Sequence, residues 1–266
     1  MVEKNQANPD QPSEEPSGEI PPINYKGNPN EMSFLEHLEE LRWRILKALA
    51  AIVLFAVLAF IKIDLVVGFL TAPALNLDQP VVLQALKVSD MFMVNLISSL
   101  MTGLVLASPV VLYQIWRFVN PALGKSTRWT TIGVVLFGTS FFLAGVTFGY
   151  KIILPFSLRF FASLGGDLVE NNYSIHAYLG YVTWMMLAAG LVFQLPVISL
   201  ILTRIGLLTP AFLRHYRRYA LVAILVLAAI LTPPDPLSQV MMAVPLLLLY
   251  ELSILISKIF QPAELT

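Results

Sequence analysis

Long apolar segments separated by short polar stretches make up most of this chain after residue 44. A helix needs about 20 consecutive apolar residues to cross a hydrocarbon layer of roughly 30 Å, and most of these segments reach that length. The pattern therefore predicts an all-α polytopic membrane protein with six transmembrane helices. The predicted spans cover about residues 45–67, 92–116, 130–150, 178–203, 219–231 and 237–257.

Two of these spans are irregular. Pro196 lies inside the fourth span and removes a backbone donor, so this helix should kink or break near Gln194. The fifth span has only about 13 residues, and at about 1.5 Å per residue it falls roughly 10 Å short of an average bilayer. We therefore predict a cupped bundle, in which the short fifth helix either thins the membrane locally or is buried as a short hairpin.

The two longest loops between spans contain helix-breaking residues. Residues 68–90 hold Pro73 and Pro80, and residues 151–175 hold Pro155 beside a cluster of phenylalanines. Proline in the body of a helix removes a hydrogen bond and disturbs the preceding turn. We therefore expect Pro73 to act as a structural breaker in the first loop, and the second loop to pack along the membrane interface.

A short amphipathic segment precedes the first span. Ser33 followed by Glu36 forms a capping box, which predicts that a helix begins here. Apolar side chains then recur on one face of the helix, and charged side chains recur on the opposite face. The apolar positions are Phe34, Leu38, Leu41 and Ile45, and the charged positions are Glu36, Glu40 and Arg44. The segment should lie at the membrane surface and continue into the first span.

The carboxylates of Glu36, Glu39 and Glu40 in this segment admit two interpretations. In the first, the helix is a solvated interfacial helix in which Glu40 pairs with Arg44 one turn later, a contact that contributes a few tenths of a kcal/mol. In the second, the carboxylates form a binding site for a cationic partner.

Composition narrows the class of protein. Of the 266 residues, 57% are hydrophobic and 13% are charged, whereas a soluble domain carries about a quarter charged residues. The formal net charge of zero gives no reason to expect a nucleic-acid partner. The chain has no cysteine and three widely separated histidines, so neither a metal site nor a thiol nucleophile is predicted. No phosphate-binding loop or serine-hydrolase motif is present, and we expect neither a cofactor nor an enzyme.

Basic residues in short loops predict the orientation, because they favour the cytosolic side of the membrane. They place both termini in the cytosol, with residues 1–31 as a disordered tail and residues 261–266 as a short C-terminal tail. The residues on that side are Arg42, Arg44, Lys47, Arg117, Lys125, Arg128, Arg204, Arg214, Arg217, Arg218 and Lys258, against Lys62, Lys87, Lys151 and Arg159 on the other. The cytosolic loops 117–129 and 204–218 contain no Asp or Glu, so the acidic segment before the first span is the nearest source of carboxylates.

Several motifs resemble those of the TatC family, the receptor subunits of the twin-arginine protein translocase. The resemblance covers residues 32–260, and the motifs occur in the family's order. They are Glu36-His-Leu-Glu-Glu-Leu-Arg-Trp-Arg44, Ala72-Pro73, Ser108-Pro-Val-Val-Leu-Tyr-Gln-Ile-Trp-Arg-Phe-Val-Asn-Pro-Ala-Leu123, Leu154-Pro-Phe156, Leu231-Thr-Pro-Pro-Asp-Pro-Leu-Ser-Gln239 and Pro245-Leu-Leu-Leu-Leu-Tyr-Glu251.

The resemblance implies a binding protein of the bacterial cytoplasmic (inner) membrane. Proteins of this family bind the Arg-Arg motif of signal peptides on folded cargo and recruit TatA- and TatB-type single-span partners, with energy from the proton-motive force. Other copies of the chain are further expected partners. By position, Glu40 resembles the family carboxylate that binds the arginine pair, and Phe118 and Pro121 resemble residues that flank it. A carboxylate suits this role because it accepts the planar guanidinium fork through two charge-assisted hydrogen bonds.

The chain departs from the family pattern at three positions. Thr127 stands where many members carry a second glutamate, Gln194 stands where they carry a further glutamate in the fourth span, and Asn95 replaces a basic residue. Loss of one of two arginine-binding carboxylates should weaken capture by about 1.5–3 kcal/mol. We therefore expect Glu39 or Glu36, or a partner subunit, to compensate.

Polar residues inside the predicted spans are further candidates. Glu251 would cost at least about 2.5 kcal/mol if ionised in hydrocarbon, so it should face protein or water, or be protonated. By the resemblance, Gln194, Thr232 and Gln239 contact the single-span partners. The alternative interpretation is that they hydrogen-bond to one another within the bundle. Asp235 is expected to cap the sixth helix. The alternative function is a proton-coupled small-solute transporter that uses Glu251.

Overall fold

The computed structural model describes residues 34–77, 81–120, 128–164, 172–232 and 236–261. The chain divides into two units, Met1–Leu38 and Glu39–Thr266, and the described elements lie in the second unit except for the start of α1. The helices are α1 Phe34–Ile61, α2 Ile63–Leu75, α3 Asp90–Val119, α4 Arg128–Phe148, α5 Leu154–Leu164, α6 Ile175–Val192, α7 Leu195–Arg204, α8 Pro210–His215, α9 Arg217–Leu231 and α10 Pro236–Phe260, with strands β1 Val82–Gln84 and β2 Asn172–Ser174.

The predicted all-α membrane fold is confirmed. Within the described part of the chain, five helical stretches are long and apolar enough to cross a membrane: residues 36–61, 90–119, 128–163, 175–204 and 236–260. The predicted fifth span corresponds to α9, which has 15 residues. At about 1.5 Å per residue α9 is roughly 22 Å long, so the short helix expected between the fourth and sixth spans is present.

The predicted break in the fourth span is also present. α6 ends at Val192, a turn follows at Phe193 and Gln194, and α7 begins at Leu195. Pro196 occupies the first turn of α7, where a helix does not require its missing backbone N–H. The proline therefore starts a second helix segment instead of disrupting a continuous one.

The predicted start of each long loop was wrong, whereas the expectation that the second loop packs along the membrane interface stays a prediction. Pro73 is inside α2, which begins after a break at Lys62 and runs to Leu75, so residues 68–75 are helical. Pro73 removes the N–H that would bond the Phe69 carbonyl, and the Tyr150 hydroxyl donates to that carbonyl at 2.5 Å instead. This replacement bond explains why a proline is tolerated near the end of the helix.

The helix of the third span is also longer than predicted. α4 continues through a π-helical turn, Gly149–Ile153, directly into α5, and helix persists to residue 164 where an irregular loop was expected. Pro155 is the second residue of α5 and comes directly after this π-helical turn. The π-helical turn changes the hydrogen-bond register at the point where the proline enters the helix.

A pair of strands joins the two long loops, and the sequence did not predict it. β1 and β2 run parallel, with Leu83 opposite Tyr173 in the centre of the register. Asp90, at the start of α3, is buried, and its Oδ2 accepts hydrogen bonds of 2.9 Å from the backbone N–H groups of Leu86 and Lys87. These contacts fix the segment that precedes α3.

The core lies around α6, which packs against α3 and α4. At the closest approach of α4 and α6, a Cβ added at Gly145 would lie 2.5 Å from the Ala189 carbonyl oxygen, so only glycine fits. α1 approaches α3 in the same way, since a Cβ at Gly103 would lie 2.5 Å from the Ala56 nitrogen. Unlike α6, α1 keeps most of its apolar surface outside this core.

Candidate functional site

Glu40 is half-buried on α1 and forms an ion pair with Arg44 one turn later. Both Nε, at 3.0 Å, and Nη2 of Arg44 donate to Oε1 of Glu40. The side chain of Glu40 is 23% exposed, and that of Arg44 is 14% exposed. This is the pair expected from the i, i+4 spacing. It also shows that the Glu40 carboxylate accepts a guanidinium in the folded chain.

Glu40 opens onto a cleft of about 390 Å³ between α1 and the end of α3. We call this the Glu40 cleft. Its described lining residues are Glu40, Trp43, Arg44 and Lys47 from α1 and Tyr113, Gln114 and Arg117 from α3. Among them there is one carboxylate against three basic side chains, so binding of a cation here depends on Glu40.

The α3 side of the cleft consists of polar and aromatic groups. Nη1 of Arg117 donates to the Tyr113 hydroxyl at 3.2 Å, and its guanidinium lies 6.0 Å from the centre of the Tyr113 ring. Arg117 belongs to the last turn of α3, where a basic side chain interacts favourably with the helix dipole. The cleft therefore already contains a guanidinium next to an aromatic ring.

None of the other acidic and flanking candidates is among the described residues that line this cleft. Glu39 is exposed on α1, and Glu36 is exposed in the first turn of the helix. Phe118 is half-buried near the end of α3, next to Arg117 in sequence. Pro121 and Thr127 lie outside the described residues, so their predicted places beside the site stay predictions.

Sequence reasoning missed the cleft residues Trp43, Tyr113, Gln114 and Arg117 as members of the site. All four fall inside two of the motifs that carried the family resemblance. Tyr113 and Arg117 are four residues apart, so they share a helix face. That spacing was a usable signal, but only the contact between α1 and α3 shows which face of α3 meets Glu40.

The three polar residues expected near one another have other partners. Nε2 of Gln194 donates to the Gly138 carbonyl at 3.1 Å, the Thr232 hydroxyl donates to the Ala228 carbonyl at 2.9 Å, and Nε2 of Gln239 donates to the Leu225 carbonyl at 3.2 Å. Gln194 and Thr232 are buried. The Gln194 and Gln239 bonds tie neighbouring helices together, whereas the Thr232 bond stays within α9. Asp235, the expected cap of α10, lies outside the described residues.

Glu251 is not an isolated carboxylate in an apolar interior. It pairs with Arg217 at the start of α9, and the two side chains are 45% and 65% exposed. The pair lines a second cleft of about 470 Å³, which we call the Glu251 cleft. Its described lining residues are Arg214, Arg217, Glu251, Ile254, Leu255 and Lys258. Glu251 was expected to face protein or water, or to be protonated, and it is half-exposed and contacts a basic side chain of another helix.

Comparison with known proteins places most of the helical region in one family. A family model described as Sec-independent protein translocase protein (TatC) matches residues 36–245. The TatCy protein of Bacillus subtilis strain 168 is 40% identical over 230 residues, which cover 86% of this chain and 90% of that protein. The TatC protein of Desulforapulum autotrophicum is 37% identical over 230 residues, covering 85% and 84%.

A solved structure agrees with this assignment at the level of the fold. The crystal structure of the twin-arginine translocase receptor TatC is similar with a TM-score of 0.74 and 37% sequence identity, and the match covers 84% of this chain and 99% of that one. A second crystal structure of that receptor, in the detergent DDM, gives a TM-score of 0.75 at 36% identity. The chain therefore belongs to the TatC family and is a multi-pass membrane component of the Sec-independent, twin-arginine protein translocase.

Proposed function

We propose that this chain is the receptor subunit that binds the Arg-Arg motif of signal peptides on folded cargo, and that it does so at the Glu40 cleft. The observation that carries the proposal is the position of Glu40. It is the one carboxylate among the described residues lining a cleft whose other charged members are all basic. A cationic ligand that enters has a single strong acceptor, and the surrounding charges repel cations bound less specifically.

The chemistry of Glu40 supports a guanidinium ligand. Arg44 already donates twice to one carboxylate oxygen, and an ionised carboxylate offers about four acceptor positions over two oxygens. Hydrogen bonds between a guanidinium and a carboxylate are charge-assisted and can be bidentate, which a lysine ammonium does not reproduce. The incoming arginine therefore competes with Arg44 or shares the carboxylate with it.

Aromatic groups in the cleft add selectivity for arginine. Trp43 and Tyr113 line the cleft, and Trp43 is 56% exposed. A guanidinium is weakly hydrated and stacks on aromatic faces, with a gain of about 0.5–1 kcal/mol at exposed sites. Glu39, exposed on the neighbouring position of α1, is our proposed substitute for the family glutamate that Thr127 replaces.

The proposal places the Glu40 cleft in the cytosol, as the distribution of basic residues predicts. The chain lacks cysteine, so a single introduced cysteine is a unique label. Cysteine at Arg42 should react with an impermeant maleimide only after the cells are opened, whereas cysteine at the exposed Ser163 should react in intact cells. The reverse pattern would contradict the orientation and the cytosolic receptor site together.

We further propose that the α9–α10 surface near Gln239 contacts the TatA- and TatB-type partners. Large apolar side chains on this pair of helices are exposed, including Ile230 at 68% and Val240 at 57%. Gln194 and Thr232 are buried and bonded internally, so we assign them to holding the helices on which this surface is built. Export is then driven by the proton-motive force, and the chain itself acts without catalysing a reaction.

The solute-transporter alternative is not favoured. It requires a protonatable carboxylate at a midplane site, but Glu251 is half-exposed and paired with Arg217 at the start of α9. The geometry of Glu251 therefore fits a structural or surface role.

Site-specific photo-crosslinking tests the receptor proposal. A benzoylphenylalanine at Trp43 or Gln114 places the probe in the cleft, and the same probe at Phe69 of α2, which is 53% exposed, is the control. In membranes containing the full chain, an Arg-Arg signal peptide should crosslink to the cleft positions. The same peptide with Lys-Lys should not crosslink, and Phe69 should give no adduct. Equal adducts from Arg-Arg and Lys-Lys peptides, or adducts only at the control position, would overturn the proposal.

A further inference from the structure

The Glu251 cleft concentrates positive charge from three helices. Arg214 comes from α8, Arg217 from α9 and Lys258 from the last turn of α10. Glu251 is paired with Arg217, whereas Arg214 and Lys258 have no ion-pair partner within the described part of the chain. Two uncompensated cations therefore border the same cavity of about 470 Å³, which favours an anionic ligand.

The floor of this cleft is apolar. Ile254 is 6% exposed and belongs to the packed interior of α10, while Leu255 is 53% exposed. Leu221 lies one turn after Arg217 on the same face of α9 and is 44% exposed. Each of the two helices thus exposes an apolar side chain one turn away from the Arg217–Glu251 pair.

The cleft lies where the apolar parts of two helices meet their charged ends. The apolar run of α9 begins after Arg218, and that of α10 ends before Lys258. In a membrane this is the level at which hydrocarbon gives way to phosphate headgroups. The basic rim therefore faces headgroups, and the apolar floor faces acyl chains.

We propose that the Glu251 cleft is a binding site for an anionic phospholipid, with the headgroup phosphate at Arg214 and Lys258 and an acyl chain along Leu255 and Leu221. A soluble anion would use the basic rim but gain nothing from the apolar floor. An acidic protein segment would leave that floor exposed to lipid. The proposal stands independently of signal-peptide recognition, since it uses other residues on other helices.

Glu251 sets the affinity of this site. It neutralises Arg217 and adds a negative charge about 10 Å, or two helical turns, from Lys258. Removing its charge frees the Arg217 guanidinium as a third phosphate ligand. The variant Glu251→Gln should therefore bind anionic lipid more tightly than the native chain.

Native mass spectrometry of the full chain in a neutral detergent tests the proposal. Phosphatidylglycerol and phosphatidylcholine with the same acyl chains are titrated in, and bound lipid is counted. The native chain should retain phosphatidylglycerol preferentially. The double variant Arg214→Gln/Lys258→Gln should lose roughly thirtyfold in affinity for phosphatidylglycerol, the effect expected for removing two basic contacts with a headgroup. Binding of phosphatidylcholine should stay the same.

A matched control separates the cleft from general charge. Arg42→Gln/Arg128→Gln removes two exposed cations outside the cleft and should leave phosphatidylglycerol binding unchanged. Unaltered circular dichroism and gel-filtration profiles show that each variant is folded. Equal losses in both double variants, or no loss in the cleft variant, would overturn the proposal. Displacement of the lipid by equimolar inorganic phosphate or by an acidic peptide would equally overturn it.

Discussion

The Glu40 cleft and the Glu251 cleft carry the same set of charges and differ in everything around them. The described lining residues of each cleft include one glutamate, two arginines and one lysine. The volume of the Glu40 cleft is about 390 Å³, and that of the Glu251 cleft is about 470 Å³. In the first, the ion pair lies along one helix and the remaining wall is aromatic and amide. In the second, the pair links two helices and the remaining wall is aliphatic.

Formal charge alone therefore does not select the ligand of either cleft. An aromatic wall beside a half-buried carboxylate suits a planar guanidinium, which stacks as well as accepting charge-assisted bonds. An aliphatic wall beside exposed cations suits a molecule that joins a phosphate to hydrocarbon. The following variants test whether the two clefts are distinct in this way.

The largest effect is expected for Glu40→Gln. The amide keeps the shape of the side chain but loses the charge, which should weaken binding of an Arg-Arg peptide by about 1.5–3 kcal/mol, or roughly tenfold to 150-fold. Fluorescence anisotropy of a labelled peptide with the purified chain measures the loss. Glu251→Gln serves as the matched control and should leave peptide affinity unchanged. If the two variants lose affinity equally, the clefts are not functionally distinct.

Trp43→Ala should have the second largest effect. Removing the indole takes away an aromatic face for the guanidinium, so peptide affinity should fall by about 0.5–1 kcal/mol, or roughly twofold to fivefold. Trp43→Phe keeps a ring and should recover part of the loss in the same anisotropy assay. A phenylalanine variant as weak as the alanine variant would show that the ring face does not contribute.

Arg44→Gln should act in the opposite direction. The native guanidinium occupies Glu40 through an i, i+4 pair worth about 0.3–0.5 kcal/mol, so removing the competitor should raise peptide affinity about twofold. The variant Arg42→Gln, on another face of α1, is the control. A fall in affinity with Arg44→Gln would instead show that Arg44 orients the carboxylate for the ligand.

The smallest effect is expected for Arg217→Gln on stability. Its pair with Glu251 is exposed at both side chains, and such pairs contribute about 0.2–1 kcal/mol. The thermal unfolding midpoint of the detergent-solubilised chain should fall by a degree or two at most, and less at high salt. A large, salt-independent decrease would mean that the pair is buried in the membrane-embedded protein.

Local signals in the sequence predicted much of this fold. Pro196 indicated the break after Val192 because proline lacks the donor that a continuous helix needs. The i, i+4 spacing indicated the pairing of Glu40 with Arg44, and the short apolar run indicated a short α9. Each of these features depends on residues within one or two turns of one another.

Features that depend on contacts between distant segments were missed. Leu83 and Tyr173 pair across two loops, and nothing in either three-residue strand specifies its partner. Pro73 and Pro155 were interpreted as helix breakers. A hydroxyl from a distant residue bonds the carbonyl that Pro73 leaves without an amide donor, and a π-helical turn precedes Pro155. Likewise, the partner of Glu251 is on another helix and has no sequence signature.

The bond between Tyr150 and the Phe69 carbonyl makes two distant positions interdependent. With proline at position 73, the tyrosine hydroxyl is the donor to that carbonyl, and its ring also stacks on Phe69 with centroids 4.5 Å apart. If alanine replaced Pro73, its own amide would return to the carbonyl and the hydroxyl would become dispensable. Loss of the Tyr150 hydroxyl should therefore be tolerated better when residue 73 is alanine than when it is proline.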